Sequence, residues 1–318
     1  MRLLRLCCLS LLLAGAPAAA GSIALISDLN GRYGSDEYHQ RVDAAIAAVV
    51  RVQPELVIST GDMVAGQRRP LLVPEELDRM WSAFNLAVTE PLAEAGIPFA
   101  ITPGNHDASA FPGFERERER FEAQWRDRLP PGLDLLPGSQ WPRRYAGRLG
   151  DLLLVAFDGT RPGPLPPSEY DFLRRMLEAH SHAARATIVF SHLPLWPFAR
   201  GREREIIDDP ELLALLHRTG VDVYASGHHH LFYAGIDSAG LVHVSVGALG
   251  GNARAFAGGE ERQPHGVALL DVAPRGISAR ALTAPAFDEP LQSEQLPAEV
   301  SGPLGRLRRL EGPAPLRP

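Results

Sequence analysis

Five short apolar runs in the first 230 residues each end abruptly in a polar turn, and most of these turns carry glycine. "SIALIS" is followed by Asp28, and "ELVIST" by Gly61 and Asp62. "IPFAIT" is followed by Pro103, Gly104, Asn105, His106 and Asp107. "ATIVFS" leads to His192, and "VDVYAS" to Gly227, His228, His229 and His230. Apolar runs this short, rich in β-branched residues and closed by turn residues, read as buried strands. The intervening "DEYHQRVDAAIAAVVRV" puts Val42, Ile46 and Val49 on one face of a helix. Further helices are expected around Glu75 to Ala95, over "FERERERFEAQW", from about Ser168 to His180, and from Pro210 to Arg218. "RRYAGRLGDLLLVAFDGT" reads as a hairpin, and the runs after residue 230 are hairpin-like strands. Alternating β and α followed by mostly β predicts two packed sheets with helices outside.

If the five runs share one sheet, their polar ends line one edge, where α/β folds bind ligands. The neighbouring glycines permit tight turns that aim side chains into a common crevice. The collected groups are carboxylate, carboxamide and imidazole, which suit Mn, Fe or Zn. Two carboxylates pressed together repel unless one takes up a proton. A dication removes that conflict, and an aspartate shared by two ions holds them ~3.5–4 Å apart. Asp62, alone in its group, is the candidate bridge.

The other parts of the chain set limits. A formal net charge of −6 gives no sign of a nucleic-acid scaffold, and every basic residue is arginine. "MRLLRLCCLSLLLAGAPAAAG" has the basic start, short apolar middle and small-residue end of a secretory signal over residues 1–20. It is too short to span a bilayer. A periplasmic or secreted protein is therefore expected, with no transmembrane segment after signal removal. Cys7 and Cys8 lie inside that segment, so the mature chain would have neither disulfides nor thiol catalysis. In "FERERERFEAQW" the spacing pairs Glu115 with Arg118 and Glu117 with Arg120 on a solvated face, with Phe114, Phe121 and Trp125 inward. Residues 21–285 are expected to form one domain, and residues 286–318, rich in Pro, Gly and Leu, a loosely attached tail.

Taken in order, "DLN", "GD", "GNHD", "SH" and "GHHH" resemble the motif series of the calcineurin-like metallophosphoesterases: D-x-H, GD, GNH with D or E, a lone His, and G-H-x-H. The resemblance covers about Ser22 to Phe232. It implies a four-layer αββα sandwich, two mixed β-sheets flanked by helices, with a binuclear metal centre at one edge. It also implies a hydrolase of small-molecule phosphate mono- or diesters that uses two divalent or trivalent ions. Carried over by position, Asp28 and His230 would hold the first ion and Asp62 would bridge. Asn105, His192 and His228 would hold the second. His106 would act as general acid or charge stabiliser, oriented by Asp107. A metal-activated hydroxide would attack phosphorus in line. In G-H-x-H, a strand-like backbone would turn His228 and His230 to one face and His229 away.

One position departs from the pattern. Asn30 stands where the family has the histidine of D-x-H. Its amide would ligate the first ion, hold a water beside it, or mark a site reduced to one metal or none. Tyr33 and His39 are neighbouring substitutes, although His39 reads better as a surface residue. The purple acid phosphatase branch also lacks that histidine but places a tyrosine three residues after the bridging aspartate, where this chain has Ala65. The rival reading is a mononuclear or inactive protein that binds metal or a phosphate ligand on the same scaffold. Three segments are candidates for recognising substrate: "HLPLWPFARGRER" with Trp196, Phe198, Arg200 and Arg202; "LNGRYGS" with Arg32 and Tyr33; and a glycine-rich loop with Arg254.

Overall fold

The computed structural model describes residues 21–317 apart from residue 275. The signal-like segment over residues 1–20 lies outside the described residues. The strands are β1 (Ser22–Ile26), β2 (Leu56–Ser59), β3 (Phe99–Ile101), β4 (Leu133–Leu135), β5 (Tyr145–Leu149), β6 (Leu152–Ala156), β7 (Ala186–Phe190), β8 (Val223–Ser226), β9 (Tyr233–Ile236), β10 (Val242–Ser245), β11 (Gly266–Ala273), β12 (Gly276–Thr283), β13 (Glu289–Pro290), β14 (Glu299–Gly302) and β15 (Gly305–Arg309). The helices are α1 (Gln40–Val52), α2 (Pro74–Phe84), α3 (Glu90–Glu94), α4 (Asn105–Ala108), α5 (Glu115–Trp125), α6 (Pro167–His180) and α7 (Pro210–Arg218).

The strands form a six-stranded sheet, ordered β13-β12-β11-β1-β2-β3, and a nine-stranded sheet, ordered β14-β15-β9-β10-β8-β7-β6-β5-β4. Both are mixed. β1 runs parallel to β2 but antiparallel to β11, and β8 runs parallel to β7 and β10 while β9 opposes β10. This is the expected two-sheet sandwich flanked by helices.

Period-two alternation explains the layering. In β1, Ile23 and Leu25 join a core shared with the second sheet, while Ala24 and Ile26 join a core beneath α1 and α2. β2 divides the same way, with Leu56 and Ile58 on one side and Val57 on the other. A strand apolar on both faces must be covered on both, so each becomes an interior layer.

Three expectations are corrected. The five polar groups do not follow strands of a single sheet: β1, β2 and β3 belong to the first, and β7 and β8 to the second. The site therefore sits where the rims of two packed sheets meet. The tail is not loose, because β14 and β15 pair with each other and Arg308 and Arg309 pair onto β9. Val300 and Leu307 are buried there, and that alternation was hidden by the segment's proline and glycine content. The charge run of α5 is not simply solvated. Phe114, Phe121 and Trp125 do point inward, but Glu117 is buried too, and Arg118 reaches across to Asp158 instead of pairing along its own helix.

Candidate metal centre

Four of the site residues adopt a backbone that side chains normally avoid. Asp28, Asp62, His228 and His230 have φ of 51°, 55°, 65° and 57°. Each such residue costs about 1–3 kcal/mol and persists only where the surroundings over-determine it. Here the fixing elements are the buried strands just before them, β1, β2 and β8, whose residues are buried throughout except Ser22. The loops also interlock. A Cβ on Gly61 would lie 2.6 Å from the Gly104 backbone, and one on Gly104 would lie 2.0 Å from Asp62 N. Only glycine lets the Gly-Asp and Gly-Asn-His-Asp turns pass this closely.

The histidine turn reaches the expected outcome by a different route. Residues 227–230 are not strand-like. His229 N–H donates to Gly227 O at 2.7 Å, a γ-turn centred on His228 with positive φ, the rarer and more strained form. Left-handed kinks at His228 and His230 aim both rings at the site. His229 points away and is fully buried: its Nδ1 accepts from Phe198 N and Ala199 N at 3.1 and 3.3 Å, and its Nε2–H donates to Glu205 O at 3.1 Å. It pins the loop that carries Arg202 and Glu205.

Hydrogen bonds fix which nitrogen of each imidazole faces the centre. His192 Nδ1–H donates to Thr60 O at 2.8 Å. This leaves the Nε2 lone pair 3.0 Å from Asn105 Oδ1, 3.3 Å from Asp62 Oδ2 and 3.1 Å from His228 Nδ1. His228 Nε2–H donates to Glu205 Oε2 at 2.8 Å, so its Nδ1 also presents a lone pair. His230 Nδ1–H donates to Asn252 O at 2.8 Å, turning its Nε2 lone pair to Asp28 Oδ1 at 3.1 Å. That oxygen is buried without a hydrogen-bond partner.

The facing atoms are therefore acceptors with nothing to accept, which is the arrangement a cation resolves. Tying the outer ring N–H to a carbonyl or carboxylate is also how metal-binding histidines are oriented. The Asp62, His192 and His228 donor atoms lie within 4.8 Å of one another. Burial alone would lower the His192 imidazole, but Asp62 and Asp28 outweigh it and raise its pKa to about 9. Burial alone would raise Asp62, but His192 and His106 hold it down at about 2. The pocket thus draws positive charge, and a cation satisfies the same demand as a proton on His192.

Asn105 is held by a residue that no sequence motif marks. Its Nδ2 donates to Gln67 Oε1 at 2.8 Å, which forces Oδ1 toward His192. Gln67 donates in turn from Nε2 to Ser109 Oγ and from its backbone N–H to Glu117 Oε2, both at 2.9 Å. Nothing in "GQRRP" signals this role. Only the fold brings α5 under that loop.

His106 donates from Nδ1 to Gly66 O at 2.9 Å and presents Nε2 3.8 Å from Asp62 Oδ2, with the Tyr33 ring 4.8 Å away. The expectation that Asp107 orients this ring is corrected. Asp107 Oδ1 accepts from Met63 N and Val64 N, and its Oδ2 from Gly104 N, so it clamps two backbone turns together. Burial and the nearby Asp62 push its pKa up to about 7. Asn30 donates its backbone N–H to Asp62 O at 3.2 Å and lines the cavity over the site. Among the described residues its amide has no hydrogen-bond partner. His39 is an exposed N-cap of α1, with Nδ1 accepting from Arg41 N at 3.2 Å.

Carboxylate, amide and imidazole donors gathered at the joined rims of two packed sheets define a candidate centre for catalysis by metal ions. The family model of the calcineurin-like phosphoesterases matches residues 21–232, and the chain belongs to that family. It is accordingly a metal-dependent hydrolase of phosphoester bonds. Among curated proteins, none matches the chain. Solved structures share its fold. A dimetal phosphatase from Danio rerio is 16% identical, with 86% of this chain and 98% of that one covered at a TM-score of 0.60. The purple acid phosphatase PPD1 from yellow lupin (Lupinus luteus) seeds is 15% identical, with 84% and 52% covered at 0.61, so this chain spans about half of that enzyme. GAP50, the anchor in the inner membrane complex of Plasmodium, is 16% identical, with 83% and 84% covered at 0.55.

Proposed function

We propose that this chain is an exported phosphoesterase that cleaves phosphate mono- or diesters of small molecules with two metal ions, of the Mn, Fe or Zn type. The observation that carries the reading is the set of histidine tautomers. His192, His228 and His230 each have one nitrogen tied to a carbonyl or carboxylate and turn the other, as a lone pair, into the site: His192 toward Asn105 Oδ1 and Asp62 Oδ2, His230 toward Asp28 Oδ1, and His228 toward His192 Nε2. Asp28 and His230, with Asn30 beside them, would hold the first ion. Asn105, His192 and His228 would hold the second, and Asp62 would bridge. Bound there, the ions would polarise the phosphoryl oxygens and generate a nucleophile from water near neutral pH. His106 Nε2, free of hydrogen bonds among the described residues, is placed to protonate or stabilise the leaving oxygen, while Gly66 O fixes its ring. Export rests on the basic, apolar and small-residue pattern of residues 1–20. Among the described residues no helix is long and apolar enough to cross a membrane.

The deciding experiment combines metal analysis with turnover of aryl phosphate mono- and diesters. The expected result is two ions per chain and metal-dependent release of the aryl alcohol. No turnover of either ester with Mn, Fe, Zn, Ni or Co overturns the enzyme reading. Recovery of a mature chain that keeps residues 1–20 after expression in an exporting host overturns the export reading.

A mononuclear or purely binding role is the second reading, and its support is the uneven donor set. Asp62, His192 and His228 form a tight cluster, whereas Asp28 has His230 and an asparagine where an imidazole was expected. A shared fold does not by itself fix activity. One tightly bound ion per chain would favour this reading.

A further inference from the structure

The cavity over the site has a volume of about 870 Å³ and is lined by three arginines, of which Arg32 follows the Asp28 turn and Arg202 and Arg254 come from two further loops. Those loops are docked together. Ala199 bridges to Phe256, and Arg200 N–H donates to Ala255 O at 2.9 Å. Both also lie beside the outer histidines of the "GHHH" turn. Arg202 Nη1 lies 3.2 Å from His228 Nε2, and Asn252, two residues before Arg254, accepts from His230 Nδ1–H at 2.8 Å. The two arginines therefore flank the two halves of the site from one wall.

Their partners differ. Arg202 is paired with Glu205. Arg254 Nε is buried without a hydrogen-bond partner, and among the described residues no carboxylate lies within ion-pair distance of its guanidinium. Arg200, which looked equivalent in the sequence, faces solvent and pairs with Glu260 at 3.3 Å. A guanidinium cannot shed its proton to escape burial, so an unpartnered one facing a reaction cavity calls for an anionic ligand.

We infer that Arg254, assisted by Arg202, makes the enzyme select phosphomonoesters over diesters. The inference rests on the phosphoesterase reading above and names the substrate class of that site. A monoester dianion offers three non-bridging oxygens. With two directed at the metal centre, the third remains for a planar, forked donor. In a diester an organic substituent replaces one of those oxygens and one charge is lost. A diester therefore sets a neutral group against a guanidinium that has no other partner.

The test uses the metal-loaded protein with 4-nitrophenyl phosphate and bis(4-nitrophenyl) phosphate, and titration calorimetry with inorganic phosphate and dimethyl phosphate. The wild type should favour the monoester and bind inorganic phosphate more tightly than dimethyl phosphate. Arg254→Gln should lower kcat/KM for the monoester, and the affinity for phosphate, by about tenfold or more, as expected for loss of a forked charged donor. The diester and dimethyl phosphate should change by no more than about threefold, since neither uses that donor. Arg254→Lys keeps the charge without the fork and should fall between the two, which guards against a glutamine variant that fails to fold. An equal loss for both ester types, or a wild-type preference for the diester, overturns the inference. The calorimetric arm decides it even if neither ester is hydrolysed, an outcome that removes the phosphoesterase reading separately.

Discussion

On the His192 side of the site, donors from Asp62, Asn105, His192 and His228 crowd together, and each is held by a further contact. On the Asp28 side, one carboxylate faces one imidazole, and the third position is an asparagine whose amide has no protein partner among the described residues. The two halves also differ in how they are held. The crowded half draws on turns from both sheets, pinned by Gln67, Thr60 and Glu205. The sparse half draws on turns from the same two sheets, and its two ligands are pinned by the His228 N–H, which donates to Asp28 Oδ2 at 3.0 Å, and by Asn252 O, which accepts from His230 Nδ1–H. Ligand number and the contacts that fix each ligand together set metal affinity. The crowded half should therefore bind its ion first and hold it longer.

The strongest way to break this contrast is to remove the residue common to both halves. Asp62→Asn should lower kcat/KM about a thousandfold, since a metal ion's charge stabilisation is worth several kcal/mol and each 1.36 kcal/mol is tenfold. Both ions should weaken together by metal analysis. Activity surviving this change would show that the halves are not joined through Asp62. His106→Asn should come next, with kcat falling about 10²–10⁴-fold as general acid catalysis is lost. Metal content should stay unchanged, because the His106 side chain bonds to Gly66 O and its Nε2 stands 3.8 Å from Asp62. A loss of ions in this variant would make His106 a ligand.

The contrast between the halves also shows what a linear sequence carries. Asp28, Asp62, His192 and the "GHHH" turn could be found because each is a polar group stranded at the end of an apolar run. The identity of the facing atoms could not. His229 does turn away from the site, but left-handed kinks at His228 and His230, and not the strand geometry that G-H-x-H predicts, turn it. Adjacency in sequence suggests that Asp107 serves His106, yet its oxygens accept from Met63, Val64 and Gly104, a partnership set by loop packing. Glu117 looked like one charge among many in "RERER", and only the approach of α5 to residue 67 buries it. Composition hides the order of the tail because a few buried residues, Val300 and Leu307, outweigh its proline content once β9 offers an edge.

A smaller perturbation tests whether the crowded half owes its strength to support as well as to ligand number. Gln67→Leu leaves all the donor groups in place but frees the Asn105 amide to rotate. The expected loss is about 10–100-fold in affinity for the second ion, the usual effect of removing a residue that orients a ligand. Competition with a chelator should show the first ion unaffected. Equal weakening of both ions would mean that Gln67 supports the loop and does not set the amide.

The finest test lies at Asn30, where the sparse half can be weakened or strengthened by one side chain. The backbone N–H donates to Asp62 O, and the residue lines the cavity, so a replacement side chain starts from the same position. If the amide ligates the first ion or holds its water, Asn30→Ala should weaken that ion about tenfold, at the low end for such contacts. Asn30→His should strengthen it, because imidazole is the better donor for these metals. The second ion should respond to neither change. Stepwise metal titration of the two variants reads both affinities, and the activity of Asn30→His shows whether a stronger first site also speeds turnover. If Asn30→Ala alters neither affinity nor rate, only the crowded half is in use and the protein works with one ion.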